Sequence, residues 1–134
     1  MMDDMTVLLV EDNPDEEFLT LRVLRKILGL AKIDVARDGV EALSYLAGET
    51  GAALPALVLL DLKLPRVGGA DVLREMRSRE RTRAVPVVVL SSSDHDNDIS
   101  LCIELGAASY LLKPLGTGAF AAVLGSIGIV AGGS

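Results

Sequence analysis

A single cysteine, Cys102, has no partner for an internal disulfide, so the fold must hold without crosslinks, as proteins of a reducing cytoplasm do. Basic charge is also in deficit. The 13 Lys and Arg face 19 Asp and Glu, for a formal net charge of −6. Binding a nucleic-acid backbone needs a basic face, so no direct nucleic-acid partner is expected. Long hydrophobic runs are missing too. The longest, residues 119 to 131, is broken by Gly and Ser and falls short of the roughly 20 residues that span a bilayer. The start carries Asp3 and Asp4 and no basic segment, against the pattern of a secretory leader. No linker, repeat or low-complexity tract divides the chain. One domain over residues 1–134 is expected, cytoplasmic, without membrane contact and without a second DNA-binding or enzymatic domain.

What is present is an alternation of two patterns. Val7 to Val10, Leu57 to Leu60, Val87 to Leu90 and Tyr110 to Leu112 are short apolar runs, several rich in β-branched residues. Such runs read as strands buried on both faces, the habit of a parallel sheet. Strands are predicted over residues 6–10, 32–36, 56–60, 85–90 and 109–112. The second alternates, Ile33 and Val35 against Asp34, and reads as an edge. The first helix has Asn13 as N-cap, Pro14 at its first position and Glu16 where a capping box wants an acid. Its apolar stripe is Phe18, Leu21, Leu24, Ile27 and Leu28, ended by Gly29. The second helix runs from Asp38 to Gly48. The third follows Gly68 and Gly69 and sets Val72, Leu73 and Met76 beneath a charged face of Arg74, Arg77, Arg79 and Glu80. The fourth covers about residues 95–105, and the fifth starts near Thr117. Repeated βα units imply right-handed crossovers with helices on both faces. The fold class expected is α/β, a doubly wound (βα)5 sandwich whose parallel sheet has the order 2-1-3-4-5.

Four of these runs end in polar residues. Glu11 and Asp12 follow the first strand, Asp61 the third, Ser91 the fourth and Lys113 the fifth. Ligands of open parallel sheets bind outside the carboxyl ends of the strands, so these residues should meet in one crevice. Two like charges about 4 Å apart repel by about 4 kcal/mol at an effective dielectric of 20, so three carboxylates need compensation. Oxygen donors with no His or Cys beside them suit Mg²⁺. Asp12 could instead cap the following helix, but Asp61 comes from another strand and has no capping task. Lys113 opposite three acids either pairs with Asp61 at rest or grips an anion arriving there; its bond to Pro114 is compatible with a cis peptide. A carboxylate between a divalent cation and a lysine is a nucleophile for phosphoryl transfer, and its product is an aspartyl phosphate. Ser91 can donate to a phosphoryl oxygen, although serines in a turn, here with Ser92 and Ser93, are common. The lone histidine, His95, reads as a solvated loop residue and Cys102 as a packing residue.

Four motifs in order carry a resemblance over nearly the whole chain: Val-Leu-Leu-Val-Glu-Asp-Asn at 7 to 13, Leu-Leu-Asp-Leu-Lys-Leu-Pro at 59 to 65 with Gly69 after it, Val-Val-Val-Leu-Ser at 87 to 91, and Gly-Ala-Ala-Ser-Tyr-Leu-Leu-Lys-Pro at 106 to 114. The chain resembles the receiver domains of bacterial two-component response regulators, which have the flavodoxin-like fold. The resemblance implies a stand-alone regulator in which Glu11 and Asp12 hold Mg²⁺ and Asp61 takes phosphate from the histidine of a sensor kinase. It also implies the Lys63 main-chain carbonyl as a metal ligand, Lys113 as the phosphate lysine, and Ser91 with Tyr110 as a switch pair. No enzymatic turnover is implied beyond the protein's own phosphoryl transfer and hydrolysis. Asn-Pro-Asp-Glu at 13 to 16 and Leu-Pro-Arg at 64 to 66 look most similar to single-domain regulators paired with bacterial phytochrome kinases. Departures are Ser91 where Thr is commoner, Val67-Gly68-Gly69 without the usual acid or amide and so expected to be looser, and Pro-Leu-Gly-Thr after Lys113.

Other readings compete on the same sheet. A flavodoxin-like carrier of nucleotide or FMN would cradle phosphate in a Gly- and Ser-rich loop after the first strand, and here that loop is Glu-Asp-Asn-Pro-Asp. A small aspartyl-nucleophile phosphatase of the haloacid dehalogenase kind would want a second Asp where Lys63 stands. A receiver that signals without phosphate would not need the full set of acids, lysine and hydroxyl. Finally, residues 114 to 134 contain no Asp, Glu, Lys or Arg. Phe120, Val123, Leu124, Ile127 and Val130 cover more of a helix than one core-facing stripe needs, so a homodimer through the fourth helix, fifth strand and fifth helix is expected.

Overall fold

The computed structural model describes residues 5–29, 31–92 and 95–129. Val130, part of the expected dimer stripe, and Ser93 lie outside the described residues. Five strands, β1 (Thr6–Val10), β2 (Lys32–Ala36), β3 (Leu57–Asp61), β4 (Val87–Ser91) and β5 (Ser109–Leu112), form one parallel sheet in the order β2-β1-β3-β4-β5. The helices are α1 (Pro14–Leu28), α2 (Gly39–Leu46), α3 (Gly69–Ser78), α4 (Asp96–Glu104) and α5 (Thr117–Ser126). Strand residues alternate between two core layers. Leu8, Val10, Val58, Leu60, Val87 and Val89 face α2, α3 and α4. Val7, Leu9, Leu57, Leu59, Val88 and Leu90 face α1 and α5. Burying one such side chain stabilises the fold by about 1.5–3 kcal/mol, so central strands with both faces covered need no polar alternation.

The helix starts follow local chemistry. Asn13 Oδ1 accepts from the amides of Asp15 (2.9 Å) and Glu16 (3.1 Å), and Asp38 Oδ1 accepts from the Glu41 amide at 2.8 Å. Edge strand β2 is tied back where the Tyr45 hydroxyl donates to Asp34 Oδ2 at 2.6 Å. Two glycines permit close approach around the β3–α3 loop. A Cβ at Gly69 would meet the Asp61 carbonyl oxygen, and one at Gly39 would meet the Val67 carbonyl oxygen. The turn at Val67-Gly68-Gly69, expected to be loose, is tied down by that approach and by Arg66, which pairs with Asp38 at 3.1 Å.

Four expectations are corrected. Phe18 is 63% exposed, because α1 is buried along Thr20, Leu24 and Leu28, and at 3.6 residues per turn Phe18 lies about 120° round the helix from that face. Glu16 is not a reciprocal cap; its carboxylate reaches Lys113. β4 starts at Val87 rather than residue 85, since Pro86 has no amide to give and Val85 closes a turn onto the Thr82 carbonyl at 3.0 Å. Arg77 does not belong to a solvated face. Its guanidinium donates to the carbonyls of Gly106 (2.9 Å), Val85 (2.8 Å) and Arg83 (3.1 Å), fastening α3 to the segments that enter β4 and β5. No helix among the described residues is long and apolar enough to cross a membrane.

Candidate functional site

The parallel register sets the carboxyl ends of β1, β3, β4 and β5 side by side. Glu11 and Asp12 follow β1, Asp61 is the last residue of β3, Ser91 the last of β4, and Lys113 follows β5. Carboxylate oxygens of Glu11, Asp12 and Asp61 lie within 4.8 Å of one another. Glu11 is 1% exposed and Asp61 6%, whereas Asp12 is open to solvent. The backbone fixes both buried acids: the Asn13 amide donates to Glu11 Oε2 at 3.2 Å, and the Lys63 amide to Asp61 Oδ1 at 3.1 Å.

The acids share one ammonium. Lys113 Nζ lies 2.7 Å from Glu11 Oε1, 2.6 Å from Glu16 Oε2 and 3.2 Å from Asp61 Oδ2. The Lys113 amide donates to the Ser91 carbonyl at 2.8 Å, and the Lys113-Pro114 peptide is cis. Burial pushes the Glu11 carboxyl up to about 7, and the Asp61 charge adds to it against the Lys113 and Asn13 bonds. For Lys113 burial acts to lower the pKa, but its bonds to Glu11 and Glu16 outweigh that, and the net shift is upward. Lysine is thus locked in its charged form, while the crowded acid is reluctant to hold its charge.

Each expected site residue can now be placed. Glu11, Asp12, Asp61 and Lys113 converge. Ser91 is buried at the end of β4, between β3 and β5. Lys63 follows β3, with its side chain exposed and its amide on Asp61. Tyr110 is half-buried against the core layer beneath α2, α3 and α4, not exposed. His95 and Cys102 stay outside the cluster, at the exposed start of α4 and in the core. Glu16 was missed. Its signal is positional: the first turn of the helix after β1 lies at the same sheet end as Glu11, so an acid there can face the crevice. A shallow groove of about 360 Å³ opens beside the pair, lined by Glu16, Leu19, Thr20, Ser92, Lys113 and Leu115.

Chemically the donor set is all carboxylate, with no nitrogen or sulfur ligand in the cluster, and it fits a hard divalent cation such as Mg²⁺. A nucleophilic carboxylate beside a fixed ammonium fits phosphoryl chemistry.

Known proteins bear on this geometry. The family model described as response regulator receiver domain matches residues 7–124. The chain is 43% identical over 115 residues to the probable methanogenesis regulatory protein FilR2 of Methanothrix harundinacea, covering 84% of this chain and 74% of that protein. It is 36% identical over 110 residues to response regulator Rcp1 of Synechocystis, covering 80% and 75%. The crystal structure of the Mn²⁺-bound form of Rcp1 superposes with a TM-score of 0.78 over 90% of each chain, at 32% identity. The bacteriophytochrome response regulator AtBRR superposes with a TM-score of 0.84 over 94% of each chain, at 39% identity.

Proposed function

The chain belongs to the family of response regulator receiver domains, and from that premise we propose that Asp61 takes the phosphoryl group of a two-component relay. The observation that carries this is the Asp61 carboxylate, 3.2 Å from Lys113 and inside the cluster it forms with Glu11 and Asp12. An Asp61 oxygen attacks phosphorus, the P–N bond to a kinase or phosphotransfer histidine breaks, and the imidazole leaves with its electron pair. Glu11, Asp12, Asp61 and the Lys63 main-chain carbonyl would hold Mg²⁺, which would supply charge compensation for the phosphoryl oxygens. Lys113 grips one of those oxygens and Ser91 donates to another. Drawing Ser91 inward gives the Tyr110 ring room to settle deeper against the layer on which it rests.

The receiver carries its phosphoryl signal in the cytoplasm, with no turnover beyond its own phosphoryl transfer and hydrolysis. Likeness to AtBRR, whose name places it with a bacteriophytochrome, supports a phytochrome kinase as donor. A homodimer through α4, β5 and α5 is supported by the exposed Leu101, Ile103 and Leu112 on that side.

Incubation with acetyl phosphate and Mg²⁺ should add one phosphoryl group by intact mass. Asp61→Asn should abolish it and EDTA suppress it. Ser91→Ala should still be labelled, yet leave the Tyr110 NMR signals where they are in the free protein. An Asp61→Asn variant labelled as well as wild type refutes the assignment of the nucleophile.

A further inference from the structure

Lys113 has three N–H donors, and two of them make hydrogen bonds, to Glu11 and Glu16, while Asp61 is the longest of its three contacts at 3.2 Å. The two bonded acids differ in what it costs to release the lysine. Glu11 is almost fully buried, so its carboxylate cannot turn to solvent, and losing Lys113 would leave it to the Asn13 amide and whatever cation the three acids hold. The Glu16 side chain is 40% exposed and lines the open groove, so water can replace the ammonium cheaply. An anion on Asp61 therefore draws Lys113 away from Glu16 and not from Glu11.

We propose that Glu16 is a positioning residue that competes with the phosphoryl group for Lys113, setting how readily the site accepts and how long it keeps that group. This rests on Asp61 as the phosphoacceptor. In the resting state the Glu16 carboxylate holds the ammonium toward the rim of the crevice. On phosphorylation that bond is exchanged for one to a phosphoryl oxygen. Removing the competitor should strengthen the grip on the anion, whereas a residue that merely built the site would weaken it when removed.

The test uses fluoroberyllate, a phosphoryl mimic, titrated in saturating Mg²⁺ and followed by NMR shifts of the Lys113 and Asp61 amides. Glu16→Gln should bind it about two- to fivefold more tightly than wild type, the range set by breaking a half-exposed ion pair. Hydrolysis of the aspartyl phosphate should slow in the same variant. Asp15→Asn is the control, because Asp15 is a neighbouring exposed acid with the same charge whose side chain is not on Lys113; its affinity should move less than twofold. Equal or weaker binding by Glu16→Gln, or an equal gain in Asp15→Asn, overturns the competition. Wild-type protein that binds no fluoroberyllate overturns the phosphoacceptor reading, and this inference with it.

Discussion

Glu11 is where burial and charge crowding act in the same direction. With its folded pKa raised from the ordinary 4.5 to about 7, the native state keeps a proton that the unfolded chain has already lost between those values. Stability from this residue is therefore full below about pH 4.5 and falls as pH rises toward 7, by up to about 1.4 kcal/mol per pH unit. A metal-free melting curve should show this loss between pH 5 and pH 7.5. Saturating Mg²⁺ should flatten it, since the cation favours the ionised carboxylates and adds about 2.7 kcal/mol at 100 times its Kd. A melting temperature that rises steadily over that range without metal would contradict the assignment. The acids and the lysine were legible in the sequence because each stands at the end of a recognisable strand. Glu16 was not, because a capping box and a long-range ion pair ask for the same residue at the same place, and local pattern cannot choose between them.

At the scale of elements, two helices depart from their amphipathic pattern for reasons that lie outside the helix. A periodic stripe gives only the average direction of a helix face, so Phe18 counts as core although it sits at the edge of the stripe, round the helix from the buried Thr20, Leu24 and Leu28. Charge on α3 likewise reads as solvent-facing, yet Arg77 satisfies carbonyls from four separate residues. Its replacement should be costly for that reason. Arg77→Met should lower unfolding free energy by about 1–3 kcal/mol in urea titration, since the part-buried Val85 and Thr82 carbonyls lose their partner. Arg74→Met, on the same helix and paired only with exposed Asp71, should change it by less than about 0.5 kcal/mol. Equal effects of the two substitutions would mean that the guanidinium contacts carry no stability.

Across the whole molecule, the topology was readable because parallel strands covered on both sides must be continuous apolar runs, and few other elements are. Boundaries moved by one or two residues where a proline or a terminal polar residue decided them, as at Pro86 and Asp61. The uncharged tail is partly explained by the fold itself. Phe120 and Leu124 are buried, and Val123 and Ile127 pack against the same layer, leaving mainly Gly, Ala and Ser of α5 exposed. On the α4–β5 side, the apolar residues left for a second copy are Leu101 and Ile103 on α4 and Leu112 on β5. Ile103→Glu should thus shift sedimentation of the phosphorylated protein from dimer to monomer without lowering its melting temperature. A wild-type protein that sediments as a monomer with and without phosphate removes the dimer.

The fork of Arg77 also decides what kind of motion the site can send outward. Its acceptors Val85 and Gly106 stand just before β4 and β5, while Ser91 and Lys113 stand at the opposite ends of those strands. From Val85 to Ser91 is about 20 Å of extended chain at about 3.3 Å per residue. Ladder bonds join the two strands from Val88 with Ser109 to Ser91 with Leu112, so they can shift only together. A displacement begun beside Asp61 would have to travel along that joined pair, and the Arg77 fork marks the end at which it stops.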